Sequence, residues 1–173
     1  MTPSYSKKIC LLGDFAVGKT SLVRRFVDNQ FSDDYLSTIG VKISRKKVEL
    51  TRESGERLAV QLVLWDVEGK NGFSDTPSSY LQGASGAIIT GDLTRSETIA
   101  HINDHVNSFL AVNPRSFIVA AYNKSDLLDK CEVPLPASFE GHERVIYTRR
   151  TSAKNGDGVQ DLFTLLTRKL IEG

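Results

Sequence analysis

Three short apolar runs constrain the fold of this chain more than any other feature of its sequence. The runs are KICLLG at 8–13, GAIITGD at 86–92 and SFIVAAYN at 116–123. A strand that is apolar on both faces is covered on both faces, which is typical of a parallel sheet enclosed by helices. The segments between and after them carry apolar residues at helical spacing, at 18–27, 97–112 and 157–171. Strands that alternate with helices in this way predict an α/β fold.

An antiparallel hairpin is predicted at one edge of this sheet. Polar and apolar residues alternate in VKISRKKVEL (41–50), TRESGER supplies a turn, and LAVQLVLW (58–65) forms the returning strand. With a last strand at 144–148, the prediction is a six-stranded, mostly parallel sheet with one antiparallel edge strand and helices on both faces. Two prolines and a glycine within 128–143 predict that any helix there is short or distorted.

Length, charge and cysteine content limit the class of protein. A chain of 173 residues fits one domain, taken as 1–173. Its 22 Lys and Arg against 21 Asp and Glu give a net charge of +1, which does not support a nucleic-acid partner. The two cysteines favour a reducing compartment and predict a cytoplasmic protein. We expect no intrinsic membrane anchor, because no apolar run has bilayer length and no cysteine near the end offers prenylation. Peripheral membrane association would then need partners or a tail absent here.

The first apolar run leads into a glycine-rich motif, GDFAVGKT at 13–20, which fits the pattern G-x-x-x-x-G-K-[ST]. We call residues 13–20 the phosphate-binding loop. Its backbone N–H groups and the following helix N-terminus would surround a β-phosphate, and its lysine would reach the β- and γ-oxygens. The hydroxyl of Thr20 would ligate Mg²⁺. The predicted nucleotide contacts are Asp14, Phe15, Ala16, Val17, Gly18, Lys19, Thr20 and Ser21.

Polar motifs also follow three of the later predicted strands. Asp66-x-x-Gly69 combines a carboxylate that can hold Mg²⁺ with a glycine N–H that can bond a γ-phosphate. NKSD at 123–126 fits guanine, because the Asp126 carboxylate can accept hydrogen bonds from N1–H and the exocyclic amine. Ligands bind at the carboxyl ends of strands in open α/β sheets, where all these motifs fall. The predicted base contacts are Asn123, Lys124, Asp126, Ser152, Ala153 and Lys154.

Over nearly its whole length the chain resembles the Ras superfamily of small GTPases, most closely the Rab-like branch. The resemblance is carried by GDFAVGKTSL (13–22), YLSTIGVKI (35–43), LWDVEG (64–69), SSYLQGASG (78–86), NKSD (123–126) and TSAK (151–154). It implies the P-loop NTPase fold of the small G domain and a GTP/GDP switch that uses Mg²⁺. It also implies Thr20, Thr38 and Asp66 as the metal ligands.

The same resemblance implies where partners bind. Residues 31–43 and 67–80 would contact effectors, exchange factors and activators, and 67–80 would be the second switch segment. Trp65 and Tyr80 match aromatic positions by which Rab proteins recognise effectors, whereas the third such position is Ile43. Core packing is an equally good reading of both aromatic residues.

Three residues depart from the family pattern around the expected γ-phosphate. The catalytic set implied by the resemblance is Thr38, Gly69 and Lys70, in which Lys70 replaces a glutamine. Lysine has no acceptor atom and cannot orient the attacking water as glutamine does. Phe15 replaces a small residue and would crowd the water or an arginine finger, and Glu68 would repel phosphate. We therefore expect slow GTP hydrolysis.

Several alternatives to this reading stay open at the level of sequence. Lys70 and Glu68 could form a solvated pair of little consequence, or Lys70 could itself neutralise γ-phosphate charge. The protein could be a pseudo-GTPase that acts as a binding or scaffold module locked in one nucleotide state. An ATPase or nucleoside kinase is disfavoured by NKSD and TSAK. His101 and His105 lie four apart but lack a completing carboxylate or cysteine, so they are read as surface or half-buried residues.

Overall fold

The computed structural model describes residues 2–34, 37–69, 76–128 and 142–173. Its sheet has six strands, in agreement with the prediction. They are β1 (Ser4–Gly13), β2 (Val41–Thr51), β3 (Arg57–Val67), β4 (Gly86–Asp92), β5 (Phe117–Asn123) and β6 (Val145–Arg150). Their order across the sheet is β2-β3-β1-β4-β5-β6. Only the β2–β3 pair is antiparallel, so the predicted edge hairpin is confirmed.

The described helices alternate with the strands along the chain. They are α1 (Lys19–Asp28), α2 (Ser78–Leu81), α3 (Ser96–Ala100), α4 (Ile102–Val112) and α5 (Val159–Glu172). The single helix predicted over 97–112 is wrong in one respect, because the chain divides it at His101. There the backbone N–H contacts the carbonyls of both Glu97 and Ile99, and the imidazole ring reaches another loop. The distorted segment predicted over 128–143 falls almost entirely outside the described residues.

The core lies in two layers, one on each face of the sheet. One layer packs α1 and α5 against the strands and includes Phe26 stacked on Phe163, with ring centroids 4.0 Å apart. The other packs α4 against the opposite face, around Phe109 and Tyr122. Cys10 is a small buried residue of this second layer, and burial raises the pKa of its thiol to about 12. In the part of the chain that the structure describes, no helix is long and apolar enough to cross a membrane.

The sheet brings the sequence motifs to one edge. Gly13 pairs with Thr90 near the end of β4, and Asp92 at the end of β4 pairs with Asn123 at the end of β5. Asp66 at the end of β3 pairs with Leu11 of β1. Four neighbouring strands therefore deliver their motifs to the same carboxyl edge, as expected for a ligand site in an open α/β sheet.

Candidate functional site

A cavity of about 260 Å³ opens at this carboxyl edge. It brings together most of the predicted site residues. Those that line it are Phe15, Ala16, Gly18, Lys19, Thr20, Ser21, Thr38, Gly69, Asn123, Lys124, Asp126, Ala153 and Lys154. Four other predicted residues, Asp14, Val17, Asp66 and Ser152, are buried behind this lining. Lys70 lies outside the described residues.

The phosphate-binding loop is held by side chains that bind its carbonyl groups. All five carbonyls from 13 to 17 accept such a bond. The pairs are Lys19 Nζ to Gly13 (3.0 Å) and Asp14 (2.8 Å), Arg95 Nη2 to Phe15 (2.6 Å), Lys124 Nζ to Ala16 (2.9 Å) and Asn123 Nδ2 to Val17 (3.0 Å). In a trans peptide the next N–H points opposite to the carbonyl. Because each carbonyl is held, the direction of the N–H group in the same peptide is fixed as well, which is what an anion-binding nest requires.

Backbone conformation supports the same arrangement. Ala16 and Gly18 have φ values of 61° and 101°, so left-handed residues are interspersed in the loop. A Cβ atom on Gly18 would lie 2.3 Å from Asn123 Nδ2. Glycine is required there because the amide of Asn123 lies directly against the loop.

Lys19 lies buried at the floor of the cavity. Burial lowers its pKa to about 8, although the carboxylates of Asp66 and Asp14 act in the opposite direction. Gly69 approaches the same ammonium group so closely that a Cβ atom there would lie 2.5 Å from Lys19 Nζ and 2.8 Å from the Asp14 carbonyl oxygen. Only glycine fits at 69, which explains the Asp66-x-x-Gly69 spacing in physical terms.

Two hydroxyl groups and one carboxylate meet beside Lys19. Thr20 Oγ1 donates to Asp66 Oδ2 at 2.6 Å and lies 2.8 Å from Thr38 Oγ1, which is itself 3.4 Å from Asp66 Oδ2. Asp66 Oδ1 is buried without a hydrogen-bond partner among the described residues. Burial raises the Asp66 pKa. A hard cation with oxygen ligands suits this donor set and would complete the coordination of the unpartnered oxygen. In the part of the chain that the structure describes, no group of three or more His, Cys, Asp or Glu side chains could hold a metal ion by itself.

The opposite end of the cavity is closely hydrogen bonded. Asn123 Oδ1 accepts from Thr151 Oγ1 at 3.1 Å and from the Ala153 N–H at 3.3 Å. Ser152 Oγ donates to Asp126 Oδ1 at 2.7 Å. Lys124 has a φ of 65° and forms an ion pair of 2.9 Å with Asp92 Oδ2. The two motifs NKSD and TSAK therefore form one network, as their positions after adjacent strands predict.

The residues that depart from the family pattern do not all lie together. Phe15 is 44% exposed and lines the cavity with Gly69. Glu68 instead accepts the Gly40 N–H at 3.2 Å and lines a separate cavity of about 90 Å³. The expectation that Glu68 shares one volume with Phe15 is therefore not met, because its carboxylate turns toward Gly40.

Two residues read as peripheral in the sequence contact the phosphate-binding loop directly. His101 Nδ1 lies 2.5 Å from Asp14 Oδ2, and His105 Nε2 lies 2.8 Å from Asp14 Oδ1. The reading of His105 as a surface or half-buried residue is wrong, since it is 4% exposed. The four-residue spacing on a helix that follows β4 was the available signal, because β4 ends beside the loop.

The aromatic pair expected at the partner surface is partly buried. Trp65 and Tyr80 pack against the core layer that contains Phe109, and Lys8 Nζ lies 3.6 Å from the Trp65 ring centroid. Ile43, which pairs with Trp65 across the β2–β3 ladder, is 42% exposed. Core packing accounts for part of each aromatic ring, and the exposed remainder lies next to an apolar side chain.

Comparison with known proteins agrees with this geometry. The model of the Ras family matches residues 8–172. The chain is 32% identical to Ras-related protein Rab-4 of Dictyostelium discoideum over 98% of its own length and 81% of that protein. It is 34% identical to Ras-related protein Rab-22A of Canis lupus familiaris and 33% identical to human Ras-related protein Rab-31. Each of those two alignments covers 94% of this chain and 82% of the relative.

Proposed function

Because the chain belongs to the Ras family and is a Rab-like small GTPase, we propose that it is a guanine-nucleotide switch with slow GTP hydrolysis. The family relationship supplies the switch and the guanine nucleotide. The slow rate and the roles of individual residues are the proposal. It treats residues 1–173 as a single G domain that works in the cytoplasm.

The nucleotide would bind along the cavity, with its phosphates at the loop and its base near Asp126. The N–H groups opposite the five held carbonyls bind the β-phosphate, and the Lys19 ammonium bonds β- and γ-oxygens. Asp126 accepts two hydrogen bonds from guanine, and Ser152 holds its carboxylate in place. Lys124 and Ala153 cover the faces of the base, since both line the same cavity.

Thr20, Thr38 and Asp66 would hold Mg²⁺ at the phosphates. The unpartnered Asp66 Oδ1 among the described residues supports this assignment. When bound, the ion neutralises charge on the β- and γ-oxygens. Thr38 joins residues 31–40 to this cluster, so γ-phosphate loss would release that segment and, through Gly69, residues 67–80. Effectors, exchange factors and activators would bind residues 31–43 and 67–80.

The exposed ring of Phe15 is the observation that supports the proposal of slow GTP hydrolysis. It lines the same cavity as Gly69, near which the attacking water and an arginine finger would lie. Lys70 follows Gly69 directly and offers three donors but no acceptor. Neither position belongs to the base motifs NKSD and TSAK, so on this proposal nucleotide binding and hydrolysis are separable.

Two measurements on purified protein test this proposal. Chromatography of the extracted nucleotide is expected to give guanine nucleotide; adenine nucleotide would overturn the assignment of the base site. Single-turnover hydrolysis of bound GTP is expected to be well below the intrinsic rate of Ras, about 3–5 × 10⁻⁴ s⁻¹. A rate equal to that value would overturn the slow-hydrolysis proposal. GTP that is never hydrolysed or exchanged would instead identify a pseudo-GTPase locked in one state.

A further inference from the structure

The Asp14 carboxylate is buried between the phosphate-binding loop and helices α3 and α4. It is 1% exposed, and each oxygen faces a histidine nitrogen, His101 Nδ1 at 2.5 Å and His105 Nε2 at 2.8 Å. Both nitrogens have to donate, because an ionised carboxylate only accepts. A cationic donor stabilises a buried carboxylate more than a neutral donor in the same place. A proton on either imidazole therefore adds to the stabilisation of Asp14.

Asp14 is well placed to transmit that dependence to a bound nucleotide. Its backbone carbonyl accepts a bond from Lys19 Nζ at 2.8 Å, and Gly69 approaches the same carbonyl closely. If Asp14 shifts, the N–H groups of the loop and the ammonium group of Lys19 shift with it. The contact between the loop and Gly69 of the second switch segment changes at the same time. His101 and His105 therefore act on the loop through Asp14 without touching the nucleotide themselves.

The charged groups around the two rings differ. His101 is flanked by Glu97 and Asp104 on its own helices and by Asp14, whose hydrogen bond is the main cause that raises the His101 pKa. Burial lowers the pKa of His105, against the effect of Asp14, and Lys19 and His101 lower it further. The two protons are therefore taken up in separate steps, His101 first as the pH falls.

We propose that His101 and His105 are positioning residues for the phosphate-binding loop, and that proton uptake at His101 slows nucleotide release. The inference rests on the proposed nucleotide site. A protonated His101 pairs with Asp14 and fixes the loop in the conformation that binds nucleotide. This pairing stabilises the nucleotide-bound state when the proton is present.

The sign of the pH dependence follows from linkage. Because the protonated ring stabilises the nucleotide-bound loop, bound nucleotide in turn raises the pKa of His101 above that of the free state. Affinity is then greatest below the free-state pKa and declines as the pH rises through the bound-state pKa. By reciprocity, each unit of difference between the two pKa values corresponds to about a tenfold change in affinity.

Release of a fluorescent GDP analogue, chased with unlabelled GDP at pH 6.0, 7.0 and 8.0, tests the proposal. Wild-type protein is expected to release nucleotide at least about fivefold more slowly at pH 6.0 than at pH 8.0. His101→Asn places an amide donor near the Nδ1 position without a titratable proton, so its rate is expected to stay within about twofold across the range. His101→Ala removes the donor as well and is expected to release faster than His101→Asn. His142→Asn, a histidine outside this cluster, is the matched control and is expected to keep the wild-type slope.

The proposal is overturned if the release rate depends on pH equally in wild type and His101→Asn. It is also overturned if the wild-type rate changes by less than twofold between pH 6.0 and pH 8.0. Failure to bind guanine nucleotide at any pH overturns the proposed function as well, which separates the two failures. A second measurement needs no variant. The imidazole C2–H resonance of His101 is expected to titrate at higher pH in the GDP complex than in nucleotide-free protein, and an identical midpoint contradicts the coupling.

Discussion

The two ends of the nucleotide cavity differ in what their residues offer a ligand. At the base end, Asn123, Lys124, Asp126 and Ser152 form one hydrogen-bonded network that fixes each side chain in place. At the γ-phosphate end, the exposed ring of Phe15 and the bare backbone of Gly69 line the same cavity. Among the described residues, hydrogen bonds hold the first end in place, whereas the second end presents a ring and a backbone to the cavity. On the proposed function, binding and hydrolysis depend on separate parts of one site, and each part can be changed alone.

The largest expected effect lies at the base end. Asp126→Asn removes two charge-assisted hydrogen bonds to guanine, each worth about 1.5–3 kcal/mol, so GTP affinity is expected to fall by about 10²–10⁴-fold. Isothermal titration of nucleotide-free protein measures it. Asp161→Asn is the control, because that carboxylate lies on α5 and pairs with Arg149 of β6, away from the cavity lining. A loss of less than threefold for Asp126→Asn would mean that Asp126 does not read the base.

The next effect lies where the second switch segment meets the loop. The Cβ atom of Gly69→Ala would lie 2.5 Å from Lys19 Nζ, so the segment would have to withdraw. Overpacking of this kind costs about 1–3 kcal/mol, which predicts a fall of about 10- to 100-fold in GTP affinity relative to GDP.

The ratio of the two affinities is the readout for Gly69→Ala, measured by competition against a fluorescent nucleotide. Gly55→Ala serves as control, since no atom lies within 4 Å of its Cβ position and its turn is remote from the cavity. Gly55→Ala is expected to lower the stability of the fold, because Gly55 has a positive φ, and to leave the ratio of GTP to GDP affinity unchanged. An unchanged ratio in Gly69→Ala would show that the close approach to Lys19 carries no γ-phosphate contact.

A smaller effect is expected where the loop is held from outside. Arg95 donates to the Phe15 carbonyl and to Asp92 Oδ2, at 2.6 and 3.1 Å. Its side chain is 32% exposed, so we take the low end of a charge-assisted bond, about 1.5 kcal/mol. Arg95→Ala is then expected to release GDP about tenfold faster. Arg115→Ala, an exposed arginine away from the loop, is the control, and equal release rates for the two variants would contradict a role for Arg95.

The smallest effect is expected from Glu68. Glu68→Gln keeps an oxygen to accept the Gly40 N–H and removes the charge, which faces a separate cavity. The rate of single-turnover hydrolysis is expected to change by about threefold or less, because solvent screens a charge that lies outside the nucleotide cavity. Glu56→Gln in the β2–β3 turn is the control. An acceleration above about tenfold would place the Glu68 charge at the γ-phosphate after all.

Much of the fold could be read from local patterns. The strands β4 and β5 were found within one residue, because continuous apolar runs between turn signals leave few alternatives. The cavity lining was also largely predictable, since parallel strands bring the residues after their carboxyl ends together. Phe15 could be placed for the same reason, because its position within the loop motif fixes its neighbours.

Contacts between residues far apart in the sequence were not predictable in this way. The bonds from His101 and His105 to Asp14 span 87 and 91 residues, and the bond from Arg95 to Phe15 spans 80. The four-residue spacing of the two histidines predicts that they share one helix face, but the loop which that face contacts depends on how α3 and α4 pack. The division of the 97–112 helix was missed as well, and it falls at His101, the residue whose ring contacts Asp14. Glu68 was misplaced because its carboxylate had a backbone partner, Gly40, that no spacing revealed.

Single-turnover GTP hydrolysis by wild type, Phe15→Gly, Lys70→Gln and the double variant tests most directly whether binding and hydrolysis are separate here. All four proteins are expected to bind GTP with affinities within about threefold, since neither position belongs to the base motifs NKSD and TSAK. Wild type is expected to be slow, and Lys70→Gln alone to stay slow while Phe15 blocks the water. The double variant is expected to gain about 10²-fold, as one correctly positioned group provides. Full rescue by Lys70→Gln alone, or a wild-type rate equal to that of Ras, would contradict the account.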